Sequence, residues 1–255
     1  MNFSRSGSGK PVVLVHGLFG NLDNLKSVAN ALAQFREVIC VDVRNHGNSP
    51  WSDDMQYENM AKDLIDLLDE LQLDQVDLVG HSMGGKIVMT CALLYPERVS
   101  AVVAADIAPV TYDPHHDTVL KALVDLDMPS LSKRKDALDQ LLAAGVEQGT
   151  AQFILKNIDF KTKPVSWKMN VHVLYREYGS ITSWPISGKE YHGPILFIKG
   201  EHSDYLTKAH RQEVLAQFPK AQVKIITNTT HWLHAEKPAI FNKLVVDFYK
   251  KIDKI

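Results

Sequence analysis

The sequence predicts an α/β fold, an open, doubly wound, mostly parallel sheet interrupted by one helical insertion. Three observations lead there. Short β-branched runs alternate with segments of helical period along most of the 255 residues, the pattern of βαβ units around a buried sheet. The alternation lapses once, from Pro109 to about Tyr191, where helical candidates succeed one another with little strand signal. Hydrophobic content of 45% and charged content of 23%, with 14 Gly and 11 Pro, are ordinary globular values, so a large core forms and neither disorder nor a fibrous repeat is supported.

In chain order, the apolar run Pro11–His16 is the first predicted strand, followed by a helix over Leu22–Gln34 and a strand over Glu37–Val43. Met55–Leu71 carries apolar residues at helical spacing, and Gln75–Val79, Met83–Tyr95 and Val99–Ile107 continue as strand, helix and strand. In the insertion, Thr118–Asp127, Lys133–Ala144, Gly149–Asn157 and Trp167–Tyr178 read as helices separated by Pro129, Gly145 and Pro164. Strands at Pro194–Lys199 and Gln222–Thr227 alternate with helices at Thr207–Gln217 and Pro238–Lys251. The expected organisation is a core made of residues 1–108 and 192–255, with residues 109–191 as a helical lid over the strand ends.

Charge narrows the function classes. With 28 Lys plus Arg against 30 Asp plus Glu the net charge is −2, which provides no basic field for nucleic acid or anionic membranes. The opening MNFSRSGSGK lacks a signal-peptide apolar core, and no stretch approaches the roughly 20 apolar residues of a bilayer span. A cytoplasmic protein with a small-molecule partner is expected, without nucleic acid or membrane; no oligomeric state follows. The two cysteines, Cys40 and Cys91, form no CxxC or zinc-type spacing and are expected as buried free thiols.

The strongest motif is Gly80-His81-Ser82-Met83-Gly84, between an apolar strand and a predicted helix. A serine in so tight a strand-to-helix turn needs glycine on both flanks, since a side chain there would collide with neighbouring backbone. Ser82 is thereby held out at the sheet edge, beside the positive end of a helix. Gly80, Gly85 and Lys86 also match the start of the phosphate-loop pattern GxxxxGK[ST], but Ile87 stands where a Mg²⁺-ligating hydroxyl is required.

Directly after the first strand, His16-Gly17-Leu18-Phe19-Gly20 can aim a backbone N–H across the sheet edge, so the amides of Leu18 and Met83 form a candidate oxyanion hole. Near the C-terminus, His231 in Asn228–Trp232 is placed to take the Ser82 proton, with His234 as the competing imidazole. The remaining histidines, His115 and His116 among them, are expected to be solvated or structural. Asp42 and Arg44 are expected to brace a loop, while Asn45, His46 and Ser49 are candidates for the pocket edge.

The segments VVLVHGLFG, DVRNHGNSP, LVGHSMGG, DIAPV, FIKGEHSDY and THWLHAEKP resemble the α/β-hydrolase superfamily, specifically the bacterial YbfF-like esterases and their mitochondrial relatives. The resemblance covers nearly the whole chain. It implies the α/β-hydrolase fold and a triad in chain order Ser, acid, His, with the acid usually after the seventh strand as GxxD. Here that loop reads Gly200-Glu201-His202-Ser203-Asp204, with Ser203 at the usual acid position and the aspartate displaced by one. The close relatives imply instead an aspartate after the sixth strand, matching Asp106, with the serine matching Ser203 assisting. Either carboxylate suits the task of orienting an imidazole. Asp106 ends an apolar strand, where an unpaired charge is costly, whereas Asp204, the alternative acid, lies in a polar loop.

The expected function is a serine hydrolase that cleaves carboxylic esters or thioesters through an acyl-enzyme, without metal or organic cofactor. The resemblance implies short acyl esters and acyl-CoA as the substrate class. Leu120, Leu123, Leu126, Met128, Phe153, Trp167 and Met169 of the insertion are candidates for an apolar acyl pocket, and Lys133, Arg134, Lys135, Lys161 and Lys163 for the phosphates of CoA. The same triad also suits a C–C bond hydrolase, a lyase or a cofactor-free perhydrolase, and the fold suits a non-catalytic ligand-binding protein.

Overall fold

A computed structural model describes residues 1–254. The chain begins with β1 (Phe3–Gly7), β2 (Pro11–Val15), α1 (Lys26–Leu32), β3 (Glu37–Val41), α2 (Tyr57–Glu70), β4 (Val76–His81), α3 (Met83–Leu94) and β5 (Val99–Ala105). The interval up to the next long strand holds α4 (Asp117–Val124), α5 (Arg134–Ala143), α6 (Gln148–Ile154), β6 (Ile158–Asp159), β7 (Ser166–Trp167), α7 (Val171–Arg176) and α8 (Tyr178–Thr182). β8 (Ile195–Gly200), α9 (Arg211–Gln217), β9 (Ala221–Ile226), α10 (Leu233–Glu236) and α11 (Pro238–Asp253) complete it.

Seven strands form one sheet in the order β1-β3-β2-β4-β5-β8-β9, all parallel except β1, which runs antiparallel to β3. Alternate residues of each central strand enter opposite cores. Val13 and Val15 pack with α2 and α3, while Val12 and Leu14 pack with α1 and α11. This double burial is why the strands read as unbroken apolar runs.

Two elements differ from expectation. β1 has no apolar alternation to announce it, because as an edge strand it leaves Ser4 to Gly7 exposed. The helix expected over Trp167–Tyr178 is instead β7 paired with β6, then α7 capped by the Asn170 side chain, then α8. The ends of the 109–191 interval meet: the Tyr112 amide donates to Thr182 O at 3.0 Å, and the Trp184 amide to Thr111 Oγ1 at 3.0 Å. The segment therefore leaves the sheet at the C-terminal end of β5 and closes on itself there, before the chain runs back to the N-terminal end of β5, where the Tyr191 hydroxyl donates to Val99 O and the parallel β8 begins. Among the described residues, no helix is long and apolar enough to cross a membrane, and Cys40 and Cys91 are buried free thiols.

Candidate active site

The turn from β4 to α3 forces Ser82 into φ 54°, ψ −122°, a strained conformation for a residue with a side chain. It is held there by the Ser82 amide donating to Ala105 O at 3.0 Å. The flanking glycines are sterically required. A Cβ on Gly80 would lie 2.2 Å from Gly84 O, and one on Gly84 would lie 2.2 Å from Val15 O.

From this turn a hydrogen-bonded chain runs through three side chains. Ser82 Oγ lies 2.9 Å from His231 Nε2, and His231 Nδ1 lies 2.7 Å from Asp106 Oδ2. Asp106 is fully buried at the end of β5. Its Oδ1 accepts from the Gly200 amide at 2.9 Å, and its Oδ2 also accepts from the Ser203 hydroxyl. A carboxylate with donors on both oxygens acts as acceptor only, so Nδ1 carries the imidazole hydrogen and Nε2 faces Ser82 as a base. Asp204 is exposed and makes no hydrogen bond to His231. This corrects the alternative acid: the displaced aspartate points to water, while the serine before it reaches Asp106.

The His231 loop is clamped from several sides. Tyr205 stacks on the imidazole at 4.2 Å between centroids and 29° between planes. His81 Nε2–H donates to His231 O at 2.9 Å. Glu236 accepts from the Thr230 amide at 2.7 Å and from its hydroxyl at 2.6 Å. His234 packs 4.3 Å from His81 rather than reaching Ser82, and burial lowers its pKa to about 4. The competing imidazole is thus a neutral packing group.

The His16–Gly20 loop passes beside the serine, so closely that a Cβ on Gly17 would sit 3.2 Å from Ser82 Cβ. Among the described residues, neither the Leu18 nor the Met83 amide donates to a protein acceptor. Two buried histidines shape this loop. His16 Nε2 accepts from the Val43 amide at 3.0 Å, and His46 Nε2 accepts from the Phe19 amide at 3.3 Å. Burial lowers their pKa values to about 4 and about 3, so both are neutral acceptors. Asp42 holds the Leu22 and Asn48 amides at 2.8 and 2.9 Å, and Arg44 pairs with Asp54 and Asp63. Asn45, His46 and Ser49 are buried behind the loop and do not line the pocket.

Ser82 and His231 open into a cavity of about 210 Å³ whose wall includes Leu18, Phe19, Met83, Phe153, Tyr205 and Trp232. Of the apolar residues expected to form an acyl pocket, only Phe153 lines it. Leu120, Leu123, Leu126 and Met169 are buried in the packing of the insertion itself, and Met128 and Trp167 pack against that core. Helical spacing marks a buried face without saying whether it faces a ligand or a neighbouring helix. Lys133, Arg134, Lys135, Lys161 and Lys163 do not line the cavity either. Lys135 pairs with Asp139 at 2.7 Å, an ordinary surface ion pair.

Sequence reasoning missed much of the cavity wall, including two basic side chains. Lys86, weighed only as part of a phosphate loop, is 1% exposed in the cavity wall. Its ammonium donates to Thr182 O at 2.8 Å and Ser183 O at 2.7 Å and lies 4.7 Å from the Tyr112 ring centroid. Burial lowers its pKa to about 7. The signal available was one lysine between Gly84-Gly85 and the mostly apolar run Ile87–Leu94. His116 also lines the cavity, half-buried beside the exposed His115 at its rim. Among the described residues, no group of three or more His, Cys, Asp or Glu side chains is placed to hold a metal ion.

Residues 10–140 match the family described as the alpha/beta hydrolase fold. The chain is 42% identical to esterase YbfF of Escherichia coli (strain K12) over 91% of its own length and 89% of that protein. It is 39% identical to the sn-1-specific diacylglycerol lipase ABHD11 of Mus musculus, over 93% and 80% of the two chains. A solved structure titled marine microorganism esterase superposes with a TM-score of 0.93 at 37% identity, covering 97% of this chain and 98% of the other.

Proposed function

The chain belongs to the α/β-hydrolase family, among the YbfF-like esterases, and from that premise we propose that it hydrolyses carboxylic esters and thioesters of short acyl chains, acyl-CoA included, through an acyl-enzyme on Ser82. The single observation that supports this reading is the unbroken hydrogen-bond chain from Ser82 Oγ through His231 to Asp106 at the floor of a cavity.

In the proposed mechanism, Ser82 Oγ attacks the acyl carbon as its proton passes to His231 Nε2. The imidazolium formed is stabilised by Asp106, which keeps its charge and holds the ring's orientation through Nδ1–H. Ser203 positions that carboxylate. The carbonyl oxygen, now an oxyanion, is met by the amides of Leu18 and Met83, two donors with no competing acceptor among the described residues. His231 then protonates the leaving alkoxide or thiolate, and a water, activated by the same nitrogen, releases the acid and restores Ser82. Residues 109–191 act as a lid over the core of residues 1–108 and 192–255, contributing Phe153 to the cavity wall.

The test is turnover of p-nitrophenyl esters of graded length beside acyl-CoA thioesters, with wild type and Ser82→Ala. Wild type is expected to turn over the shorter acyl groups, and Ser82→Ala to lose about 10⁴-fold or more in kcat. Undiminished turnover by Ser82→Ala would overturn the proposal.

A further inference from the structure

One cavity imidazole has its tautomer dictated by its neighbours. The Tyr178 hydroxyl oxygen receives the backbone N–H groups of His115 at 3.1 Å and His116 at 3.0 Å, and lies 2.8 Å from His116 Nδ1. With both lone pairs taken by N–H donors, that oxygen has only its own proton to offer. The hydroxyl therefore donates to Nδ1, and the neutral ring carries its hydrogen on Nε2.

Burial, then the facing His231, lowers the His116 pKa and keeps the ring neutral. Its Nε2–H has no protein acceptor among the described residues, while the ring lines the same cavity as Ser82 and His231 and meets Phe19 edge-on at 6.2 Å. A fixed, uncommitted donor thus stands in the wall of the cavity that also holds Ser82 and His231.

We propose that His116 contacts the substrate and favours oxygen over sulfur leaving groups, its Nε2–H donating a hydrogen bond to the departing alkoxy oxygen. This deepens the acyl-enzyme reading and rests on it. When the tetrahedral intermediate collapses, the carbon–oxygen bond breaks and its electron pair goes to the alkoxy oxygen. One of the three lone pairs of that oxygen takes the proton from His231 Nε2, and another accepts from His116. Sulfur is a weak hydrogen-bond acceptor, so a thioester draws little from the same contact.

The experiment compares phenyl butanoate with S-phenyl thiobutanoate, which differ in one atom, using wild type, His116→Phe, His116→Gln and Ser82→Ala. Removing the donor in His116→Phe is expected to lower kcat/KM about tenfold on the oxygen ester and less than about twofold on the thioester. His116→Gln, which keeps an N–H donor, is expected to recover most of the oxygen-ester rate and guards against a folding defect in the phenylalanine variant. Equal losses on both substrates, or no loss on either, overturn the inference. Wild-type rates from Ser82→Ala would instead overturn the acyl-enzyme reading beneath it.

Discussion

At the scale of single residues, the two aspartates that the sequence offers as the acid are separated by burial and direction. Asp106 is enclosed and accepts from Gly200, Ser203 and His231, whereas Asp204, next to Ser203 in the chain, is exposed. Asp106→Asn is therefore expected to lower kcat by about 10³-fold or more, because an amide favours the wrong imidazole tautomer. Asp204→Asn should stay within about threefold, as for other surface substitutions. Steady-state kinetics at matched folding would check both, and the reverse order would reassign the acid. Ser82 and His231 were legible in the sequence because tight turns and loop ends leave motifs. The place of Asp106 was argued from the cost of burying a lone carboxylate and from resemblance. Lys86 and His116 were not legible, since their roles in the cavity wall come from partners such as Thr182 and Tyr178, far away in the chain.

At the scale of elements, the turn between β4 and α3 shows how packing constrains a motif. Gly84→Ala would push a methyl group to 2.2 Å from Val15 O, backbone of the neighbouring central strand that has little room to yield. Overpacking of this kind costs about 2 kcal/mol or more, a fall in Tm of about 4–8 °C for a chain of this size. Gly179→Ala, where a Cβ would meet nothing within 4 Å, is the control and should melt like wild type. Thermal unfolding of both variants decides the matter. The central strands were readable because both faces are buried and the runs are continuously apolar. β1 was hidden because an edge strand with exposed side chains has no such constraint. The segment expected as one helix over Trp167–Tyr178 failed for a related reason, since a two-residue pairing with Ile158–Asp159 is set by contact across the insertion.

At the scale of the whole molecule, neutral histidines couple the fold to pH. His16 and His46 are buried as acceptors, with pKa values lowered to about 4 and about 3 from an ordinary 6.5. Below pH 6.5 the unfolded chain binds protons that the folded chain refuses, so their contribution, complete above that value, is lost progressively as pH falls toward the folded pKa values. Each pH unit costs about 1.4 kcal/mol per histidine, or about 4 kcal/mol for the pair between pH 6.5 and about pH 5. Urea unfolding across this range should show at least that decline in wild type, because buried His81 and His234 add to it, and a decline smaller by about 2 kcal/mol in His46→Gln; a flat profile would refute the linkage. The sequence by itself determined the layered sheet, the turn that presents Ser82 and the loop that carries His231, because local sterics and the period of apolar residues specify such features within a few neighbouring residues. Only the tertiary structure decided which carboxylate meets His231, which side chains wall the cavity and where the apolar face of the insertion is buried. Those outcomes depend on directions and distances between segments far apart in the chain, 125 residues in the case of Asp106 and His231, and no local pattern encodes them.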